Sequence, residues 1–598
     1  MAADETEEHS SANSQPRSQA RPLPDLVLFV LALAIGVVGG VGGIAFSAAI
    51  SLIHNLFFNV QLSLDYATDA HIAPSVLGAA VILVPVVGSL IVTWIVNTLA
   101  PEARGHGVPE VLNAIYYQGG RIHPVVALAK AVASAVSIGT GGSVGREGPI
   151  VQIGATFGSV LGQLVRMPAR QRVVLIGAGA AAGIAATFNA PIGGLAFAVE
   201  LLLVSISART VATVAMATVT ATYIGRLYAG VGPSFNVPEL TVFSDHAMGL
   251  LALALCIPLG IILGVASAGF IRSLYAMEDL FDRFIPNTYL RHATGMLGVG
   301  LLLYALLLYT GHYYVAGVGY ATVIDALSGA LQDPAFLALL FAAKLLATGL
   351  TIGSGASGGI FSPSLFLGAT LGAAFGQLMA MLFPQAAINP AMFAVAGMAA
   401  MVGGTTGAVV TAITMIFEQT RDYGAMLPII TCVSLAYVVR MRLTPESIYT
   451  LKLARRGVSV PQGLQAAVAA VHTARTMMSR DFEIVDIDDL ANWQRHFHPD
   501  EAARYTVVTR GDEVLGLARP ELLYLLPDRD PETVVDRSIF PVVAQTTWPT
   551  IMRGLRAKNS ELALVFSRRN RYGAKSLIGV ITHREIARTA GASADLMD

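Results

Sequence analysis

Three short segments combine glycine with a nearby proline, a pattern typical of a tight turn that leads into a helix. They are GHGVP (Gly105 to Pro109), GREGP (Gly145 to Pro149) and GGIFSP (Gly358 to Pro363). Proline suits the first helical turn, where its missing N–H is not needed, and glycine allows the turn before it. If these helix starts lie within a membrane, their free N–H groups and positive dipole ends would form an anion site. Partial charges would hold an anion firmly enough to admit it and weakly enough to release it.

The alternative is that these segments are only kinks between packed helices. Irregular backbone within a membrane is tolerated where protein or a water-filled path surrounds it. Three such segments in one chain, two of them related by the repeat described below, favour the anion site. The second segment also contains Arg146 and Glu147, which are the only charged residues between Ser137 and Gly158.

The composition of the chain is that of a membrane protein. Of its 598 residues, 54% are hydrophobic and 13% are charged, about half the charged share of a typical soluble domain. The net charge of -1 gives no indication of nucleic-acid binding. Cys256 and Cys432 lie in apolar runs, without the spacing of a disulfide framework or metal site, and are predicted to be core residues. Four uncharged runs exceed the roughly 20 residues that cross a bilayer as a helix. They lie between Asp25 and Asp65, Arg172 and Glu200, Asp245 and Arg272, and Lys344 and Glu418.

The charge pattern also divides the chain into domains. A polar, acidic tail at 1–25 precedes the first apolar run, and no small-residue cleavage signal follows, so we predict an uncleaved tail. The apolar runs predict a multi-pass membrane domain at 26–450, in which glycines and prolines indicate short or interrupted helices. Charges become frequent after about Tyr449, which predicts a linker at 451–470 and a soluble module at 471–598.

An internal repeat organises the membrane domain. With a shift of 214 positions, Ala129–Leu164 matches Ala343–Leu378 at 16 of 36 positions, and Lys130 falls on Lys344. A second match at a shift of 218 places Glu200 on Glu418. The domain therefore consists of two related halves, at about 26–240 and 245–450. Such repeats, often inverted, form a substrate site near the bilayer midplane from broken helices, which favours a transport function.

The motifs of this region resemble those of the CLC family of chloride channels and chloride/proton antiporters, over about residues 30 to 450. GREGP is similar to the family's gating-glutamate motif, GGIFSP to its second anion-binding segment and GHGVPE to its first. FNAP with VE nine residues after the proline, FEQT in the second half, and ESIYTLKL also fit. The resemblance implies an all-α polytopic membrane domain of two inverted-topology repeats, with many short or broken helices. It also implies a homodimer with one chloride path per subunit and with both termini cytoplasmic.

The resemblance assigns roles to individual residues. Glu147 would be the gate, because a carboxylate beside an anion site competes with the anion until it is protonated or swings away. The alternative is a structural carboxylate paired with Arg146, which itself is expected to satisfy nearby carbonyls. Tyr449 would donate its hydroxyl to the anion, although a lone tyrosine near a membrane boundary is often an interface anchor. The residues that the resemblance places at the anion path are His106, Gly107, Val108, Arg146, Gly148, Gly359, Ile360, Phe361 and Tyr449.

Two positions depart from the family pattern. His106 stands where a serine is common; a neutral imidazole can donate one N–H and a protonated one adds charge, unless the ring is turned aside. Leu201 stands where antiporters of the family have a second glutamate that transfers protons on the inner side. Leucine cannot carry a proton, so the sequence favours a passive gated chloride channel, with a chloride/proton antiporter of weak or atypical coupling as the alternative. Glu200 and Glu418 are predicted to be structural.

The tail at about 471–594 repeats one pattern twice, at 471–528 and 534–594. Each copy ends in strand, turn, strand and helix, VLGLARPEL and LIGVITHREI. This resembles a pair of CBS domains, an α/β cytosolic module that can bind an adenine nucleotide. Thr582 and Glu585 hold the positions of the nucleotide-contacting hydroxyl and acid in the second copy, and Ala518 and Glu521 hold them in the first. The alternative is a purely structural role in dimerisation.

Two other classes of function fit less well. An intramembrane enzyme could use Glu147 and His106 as acid and base, but no Ser/Lys, Asp/Asp or HExxH set has suitable spacing in the apolar runs. A nucleotide sensor with a membrane anchor would not need a glycine-structured repeat of this length. We therefore expect a transport protein, without enzymatic activity and without a bound metal.

Overall fold

The computed structural model describes most of the membrane domain and parts of the tail. The described residues are 22–64, 70–204, 206–235, 237, 246–386, 388–458, 460–461, 472–490, 492, 505–518, 535–567 and 572–594. Residues 459 and 462–470 of the predicted linker lie outside the described residues, as does Glu521.

The first half of the membrane domain is a series of eight α-helices with short 3-10 and π segments. Its helices are α1 (Asp25–His54), α2 (Val84–Thr98), α3 (Val108–Tyr117), α4 (Pro124–Gly139), α5 (Glu147–Leu164), α6 (Ala169–Phe188), α7 (Pro191–Phe197) and α8 (Ala208–Ala229). A π segment, Ala198–Leu202, extends α7. Eight described helices in the whole chain are long and apolar enough to cross a membrane. The helix α7 is not one of these eight, because it is too short.

The second half repeats this order of long and short helices. Its helices are α9 (His246–Phe284), α10 (Thr288–Thr310), α11 (Tyr320–Ser328), α12 (Pro334–Ser354), α13 (Phe361–Leu382), α14 (Pro390–Thr406), α15 (Val409–Thr420) and α16 (Met426–Leu443). A further helix, α17 (Ile448–Arg455), follows them and carries Tyr449.

In each half, a pair of glycines brings two neighbouring helices into close contact. A Cβ on Gly154 of α5 would collide with the Gly179 carbonyl of α6, and a Cβ on Gly179 would collide with the Gly154 carbonyl. Gly368 of α13 and Gly397 of α14 meet in the same way. Small residues let membrane helices approach to backbone contact, where van der Waals packing stabilises them. The repeat seen in the sequence is thus a repeat of helix packing.

Two glutamates cap short helices of the opposite half. The Glu200 carboxylate, at the end of α7, accepts hydrogen bonds from Val410 N at 3.1 Å and Thr411 N at 2.9 Å at the start of α15. The Glu418 carboxylate, in α15, accepts from Ile192 N at 3.0 Å and Gly193 N at 2.7 Å at the start of α7. Carboxylates at helix N-termini satisfy free N–H groups and complement the helix dipole. This exchange joins the two halves.

The tail consists of two small sheets with the same strand pattern. The strands are β1 (Phe482–Asp486), β2 (Tyr505–Arg510), β3 (Glu513–Ala518), β4 (Val535–Asp536), β5 (Ile539–Val543), β6 (Leu562–Phe566) and β7 (Leu577–Ile581). The strand order is β1-β2-β3-β4 in the first sheet and β5-β6-β7 in the second. In each sheet the first two strands are parallel, and the third strand is antiparallel to the second. The helices in the described part of the tail are α18 (Ala474–Met477), α19 (Trp548–Lys558) and α20 (His583–Ala594).

The two copies of the tail exchange their leading segments. Ser479, which precedes the first sheet, bridges to Val580 of β7 in the second sheet. The strand β4, at the start of the second copy, pairs with β3 of the first. Arg553 of α19 lies over the ring of Tyr117, at the end of α3, at 4.4 Å from its centroid. The tail thereby contacts the membrane domain where α3 ends.

Candidate functional site

The three glycine segments singled out in the sequence meet in the structure. Gly145 N donates to Gly359 O at 2.8 Å and Gly359 N donates to Gly145 O at 2.6 Å, which forms an antiparallel bridge. Gly105 N donates to Ala356 O at 3.0 Å. The helices that follow, α3, α5 and α13, therefore start from one cluster of backbone segments.

The absence of side chains allows this contact. A Cβ on Gly148 would lie 2.9 Å from the Gly359 Cα and closer still to the His106 carbonyl oxygen. Gly107 has a φ of +85°, a left-handed conformation that a residue with a side chain rarely adopts. Gly107, Gly148 and Gly359 therefore all lie at this junction.

Two buried lysines donate hydrogen bonds to carbonyl groups of the loops. Lys130 Nζ donates to Ala103 O at 2.9 Å and to Gly105 O at 2.5 Å. Lys344 Nζ, its repeat equivalent, donates to Val315 O at 3.1 Å and to Gly317 O at 2.8 Å. A buried ammonium is tolerated where its donors are satisfied, and here both lysines hold a loop that precedes a short helix.

Lys344 binds a fourth glycine segment, which was not predicted from the sequence. Gly317, Gly319 and Tyr320 form a loop before α11, in which Gly319 has a φ of +78°. A shift of 212 positions places Gly105 on Gly317 and Gly107 on Gly319. The signal was present as a G-x-G pair, but α11 has no proline in its first turn and the shift differs by two from that of the main repeat.

The Glu147 carboxylate lies at the start of α13, where it is 2% exposed. Oε1 accepts a hydrogen bond from the Tyr320 hydroxyl at 2.7 Å and a short one from the Ser362 hydroxyl. Oε2 accepts from Ser362 N at 3.3 Å. The carboxylate thus uses one of the free N–H groups of a helix start, the kind of donor that an anion would use.

Arg146 is not the partner of Glu147, since no ion pair joins them in the described part of the chain. Its guanidinium makes long contacts, Nη1 to Ser47 Oγ at 3.5 Å and Nη2 to Thr187 O at 3.4 Å, and it lies 5.5 Å from the centroid of the Tyr320 ring. It lines a cavity of about 210 Å³ between α1, α4, α6 and α8. The alternative of a structural carboxylate paired with Arg146 does not fit this geometry.

Ile360, Phe361 and Tyr449 lie in the buried core of the membrane domain. Ile360 caps α13 and Phe361 begins it, so their N–H groups are at the free end of the helix. Tyr449 is 3% exposed in the first turn of α17, which Ser447 caps. Burial of this kind does not fit an interface anchor, the alternative that we considered for Tyr449.

His106 is buried, and its ring lies 5.8 Å from the Tyr449 ring, centroid to centroid. His106 Nε2 is 3.3 Å from the Tyr275 hydroxyl, which donates to Ile448 O at 2.6 Å. Nδ1 has no hydrogen-bond partner in the described part of the chain. Sequence reasoning could not find Tyr275, which lies on α9, far from His106 along the chain. The next residues after His106, Gly107 and Val108, form the cap and first turn of α3.

Leu201 lies in the π segment that follows α7 and packs against the main core. The carboxylate of the preceding residue, Glu200, accepts hydrogen bonds from the start of α15. The position that carries a proton-transfer glutamate in antiporters of the family is therefore apolar and packed.

The predicted nucleotide residues of the tail bind each other. Glu585 Oε2 accepts hydrogen bonds from Thr582 N at 3.0 Å and Thr582 Oγ1 at 2.6 Å, and the Tyr505 hydroxyl of β2 donates to the same carboxylate at 2.9 Å. Burial raises the pKa of the Tyr505 phenol, which keeps it a donor. Ala518, the first copy's counterpart of Thr582, is buried at the end of β3.

Two related halves whose helix starts meet around a buried carboxylate define a membrane transporter with an internal repeat. The chain belongs to the CLC family: the family model described as voltage gated chloride channel matches residues 88–441. CLC-type anion transport is therefore its activity, and it is a multi-pass membrane protein. The resemblance inferred from the motifs is confirmed.

Curated relatives carry a more specific name. The chain is 32% identical over 459 residues to the H(+)/Cl(-) exchange transporter ClcA of Yersinia pestis bv. Antiqua (strain Angola), which covers 74% of this chain and 91% of the relative. It is 32% identical over 444 residues to the ClcA of Vibrio cholerae serotype O1 (strain M66-2), which covers 72% of this chain and 90% of that relative.

Solved structures share the fold. A slow cyanobacterial Cl-/H+ antiporter has a TM-score of 0.62 at 27% identity and covers 73% of this chain and 99% of its own. A eukaryotic CLC transporter at 21% identity, with a TM-score of 0.61, covers 94% of this chain and 98% of its own, and so extends the shared fold to the tail. The predicted fold class, a helical membrane domain with an α/β tail, is confirmed.

Proposed function

We propose that the protein exchanges chloride for protons across the membrane. The observation that carries this proposal is the Glu147 carboxylate at the start of α13, bound by Tyr320 and Ser362. Protonation would weaken its competition with chloride, so one side chain would respond to both ions. The exchange activity named for the ClcA relatives supports the antiporter over the passive channel that Leu201 had favoured.

Two features limit how the proton can move. Leu201 offers no proton-accepting group on the inner side, and Glu200 is engaged by α15. Coupling through the usual inner glutamate is therefore excluded for this chain, and the exchange needs another group or a water path. The expected result is exchange with slow or atypical proton coupling.

The test is chloride and proton flux in liposomes that contain the purified full-length protein. A chloride gradient should drive proton uptake, and the reversal potential should depend on both gradients at a fixed ratio. The matched variant Glu147→Gln should conduct chloride without proton movement. A reversal potential set by chloride alone in the unmodified protein would favour a passive channel over an exchanger. Absence of any chloride flux would contradict the transport proposal.

We also propose a homodimer in which one face of each subunit is covered by the other. The short helices α7 and α15 place Ile192 and Val410 at exposed helix starts, and each side chain is more than half exposed. Helices as short as these cannot cross a bilayer alone, so their ends need a cover of protein. A second copy of this chain on the face of α7, α8, α15 and α16 would provide it. Cross-linking in liposomes tests this assembly.

For the tail we propose a cytoplasmic CBS pair, with both chain termini on that side of the membrane. Thr582 and Glu585 would have to release each other before they could contact an adenine nucleotide, so a structural role is the better-supported alternative. Ion exchange needs no covalent chemistry, and we propose that the protein is not an enzyme. Nucleotide binding to the full-length protein, measured by calorimetry with ATP, distinguishes the two roles of the tail.

A further inference from the structure

The hydrogen bonds around His106 determine which ring nitrogen carries its proton. The Tyr275 hydroxyl has one hydrogen, and it is used in the 2.6 Å bond to Ile448 O. The Tyr275 oxygen can therefore only accept from His106 Nε2, 3.3 Å away. In a neutral imidazole one nitrogen is a donor and the other an acceptor. Neutral His106 thus has its proton on Nε2, and Nδ1 carries a lone pair.

This assignment changes what the side chain can offer to an anion. The expectation from the sequence was that a neutral imidazole would give one N–H to the anion in place of a serine hydroxyl. That N–H is directed to Tyr275, and the buried Nδ1 has no partner among the described residues. A lone pair beside a halide is repulsive, and a halide has no hydrogen to donate to it. His106 becomes a donor at both nitrogens only when it binds a second proton.

Burial of the His106 ring opposes that second proton when no anion is present. The positive charges of Lys452, Lys130 and Arg456 oppose it further. Glu110 of α3 partly offsets them, since it lies 3.7 Å from Lys452 Nζ and 2.8 Å from Arg456 Nη1. The other titratable groups beside the ring are the phenols Tyr275 and Tyr449. An anion bound here would reverse the balance, because it stabilises the imidazolium directly.

We propose that His106 binds a proton at Nδ1 when chloride enters the site beside it, and so serves as the inner proton-accepting group that Leu201 cannot be. The inference rests on the proposed chloride/proton exchange and names the group responsible. One proton from the inner solution is bound as one chloride arrives from the outer side. The chloride then leaves to the inner side and the proton passes from Nδ1 toward Glu147 and the outer side, so that the two ions move in opposite directions.

Charged side chains of α17 and α3 lie between the surface and His106. The Arg456 side chain is half exposed, whereas the side chains of Glu110 and Lys452 are nearly buried. Gly105, directly before His106, has no side chain, and a Cβ there would lie 2.7 Å from Lys452 Nζ. A series of charged groups therefore extends from the surface to the residue next to His106.

The experiment measures proton uptake on chloride binding, by calorimetry of the full-length protein in detergent in two buffers of different ionisation enthalpy. The Glu147→Gln variant serves as the background, because Glu147 would itself bind a proton as chloride displaces it. Chloride should bind this variant with uptake of up to about one proton, as linkage requires of a group that is protonated only in the bound state. Adding His106→Ser or His106→Asn should abolish the uptake, and the chloride affinity of these variants should no longer depend on pH.

Each alternative outcome has a separate meaning. Chloride binding to Glu147→Gln without proton uptake would overturn the role of His106 and leave the anion site intact. Uptake that persists in both His106 variants would assign the proton to another group and would also overturn it. Absence of chloride binding in every variant, with protein that is monodisperse by size exclusion, would contradict the proposed function itself.

Discussion

The Tyr320 hydroxyl donates to Glu147 Oε1 at 2.7 Å and lies 3.0 Å from the Ser362 hydroxyl. Tyr320 starts α11, Glu147 starts α5 and Ser362 lies in the first turn of α13. Three helix starts from two halves of the chain thus contribute to one hydrogen-bonded group. The environment of the Glu147 carboxylate is therefore a property of the junction between the halves and not of a single motif.

The first prediction concerns the gate itself. Glu147→Gln removes the charge that competes with chloride but keeps the size of the side chain. We expect chloride flux in liposomes to become nearly independent of pH, and proton movement to cease. Glu102→Gln, at an exposed carboxylate, is the matched control and should behave as the unmodified protein does. A pH dependence that survives in Glu147→Gln would exclude this residue as the gate.

The second prediction concerns the Tyr320 hydroxyl. Tyr320→Phe removes one donor from the carboxylate, and a hydrogen bond to a buried group contributes about 1 kcal/mol or more. The closed position of Glu147 should therefore be weakened, and chloride flux at neutral pH should rise about fivefold, which corresponds to about 1 kcal/mol. Tyr309→Phe, at an exposed tyrosine of α10, provides the control. An unchanged flux would mean that Tyr320 does not hold the gate closed.

The third prediction tests the proton assignment of His106 without altering that residue. Tyr275→Phe removes the acceptor of the Nε2 proton, so the neutral ring is free to adopt the other tautomer and offer Nδ1–H to an anion. In the Glu147→Gln background, this change should keep chloride binding but reduce the proton uptake that accompanies it. Calorimetry in two buffers gives both quantities. If the uptake stays the same, the bond to Tyr275 does not control the ring.

The fourth prediction concerns the exchanged helix caps. Glu418→Gln keeps an acceptor for Ile192 N and Gly193 N but removes the charge, whereas Glu418→Ala leaves both groups without a partner. We expect Glu418→Ala to lower the free energy of unfolding by about 1–3 kcal/mol and Glu418→Gln by less, since unmet buried donors are the larger cost. Thermal unfolding in detergent measures the difference. Equal loss in both variants would point to charge alone.

The sequence predicted the repeat, the three glycine segments and the central place of Glu147, because each depends on local turn chemistry or on a shift along the chain. Tyr320 was missed, since the fourth segment keeps its two glycines but has no proline in the first turn of its helix. The partner of His106 could not be predicted, because Tyr275 reaches it from a long helix of the other half. The direction of an imidazole proton depends on that distant hydroxyl and not on the residues beside it.

The exchanged glutamates also constrain how the protein can be made. The first half emerges from the ribosome with Glu200 but without α15, so the start of α7 has no cap until Glu418 has been synthesised about 220 residues later. During that interval the nascent chain holds polar helix ends that neither lipid nor its own half can satisfy. Biogenesis of the first half therefore depends on a delay before release or on help from the insertion machinery. Chains cut between the halves would be targets for quality control unless both pieces are produced together.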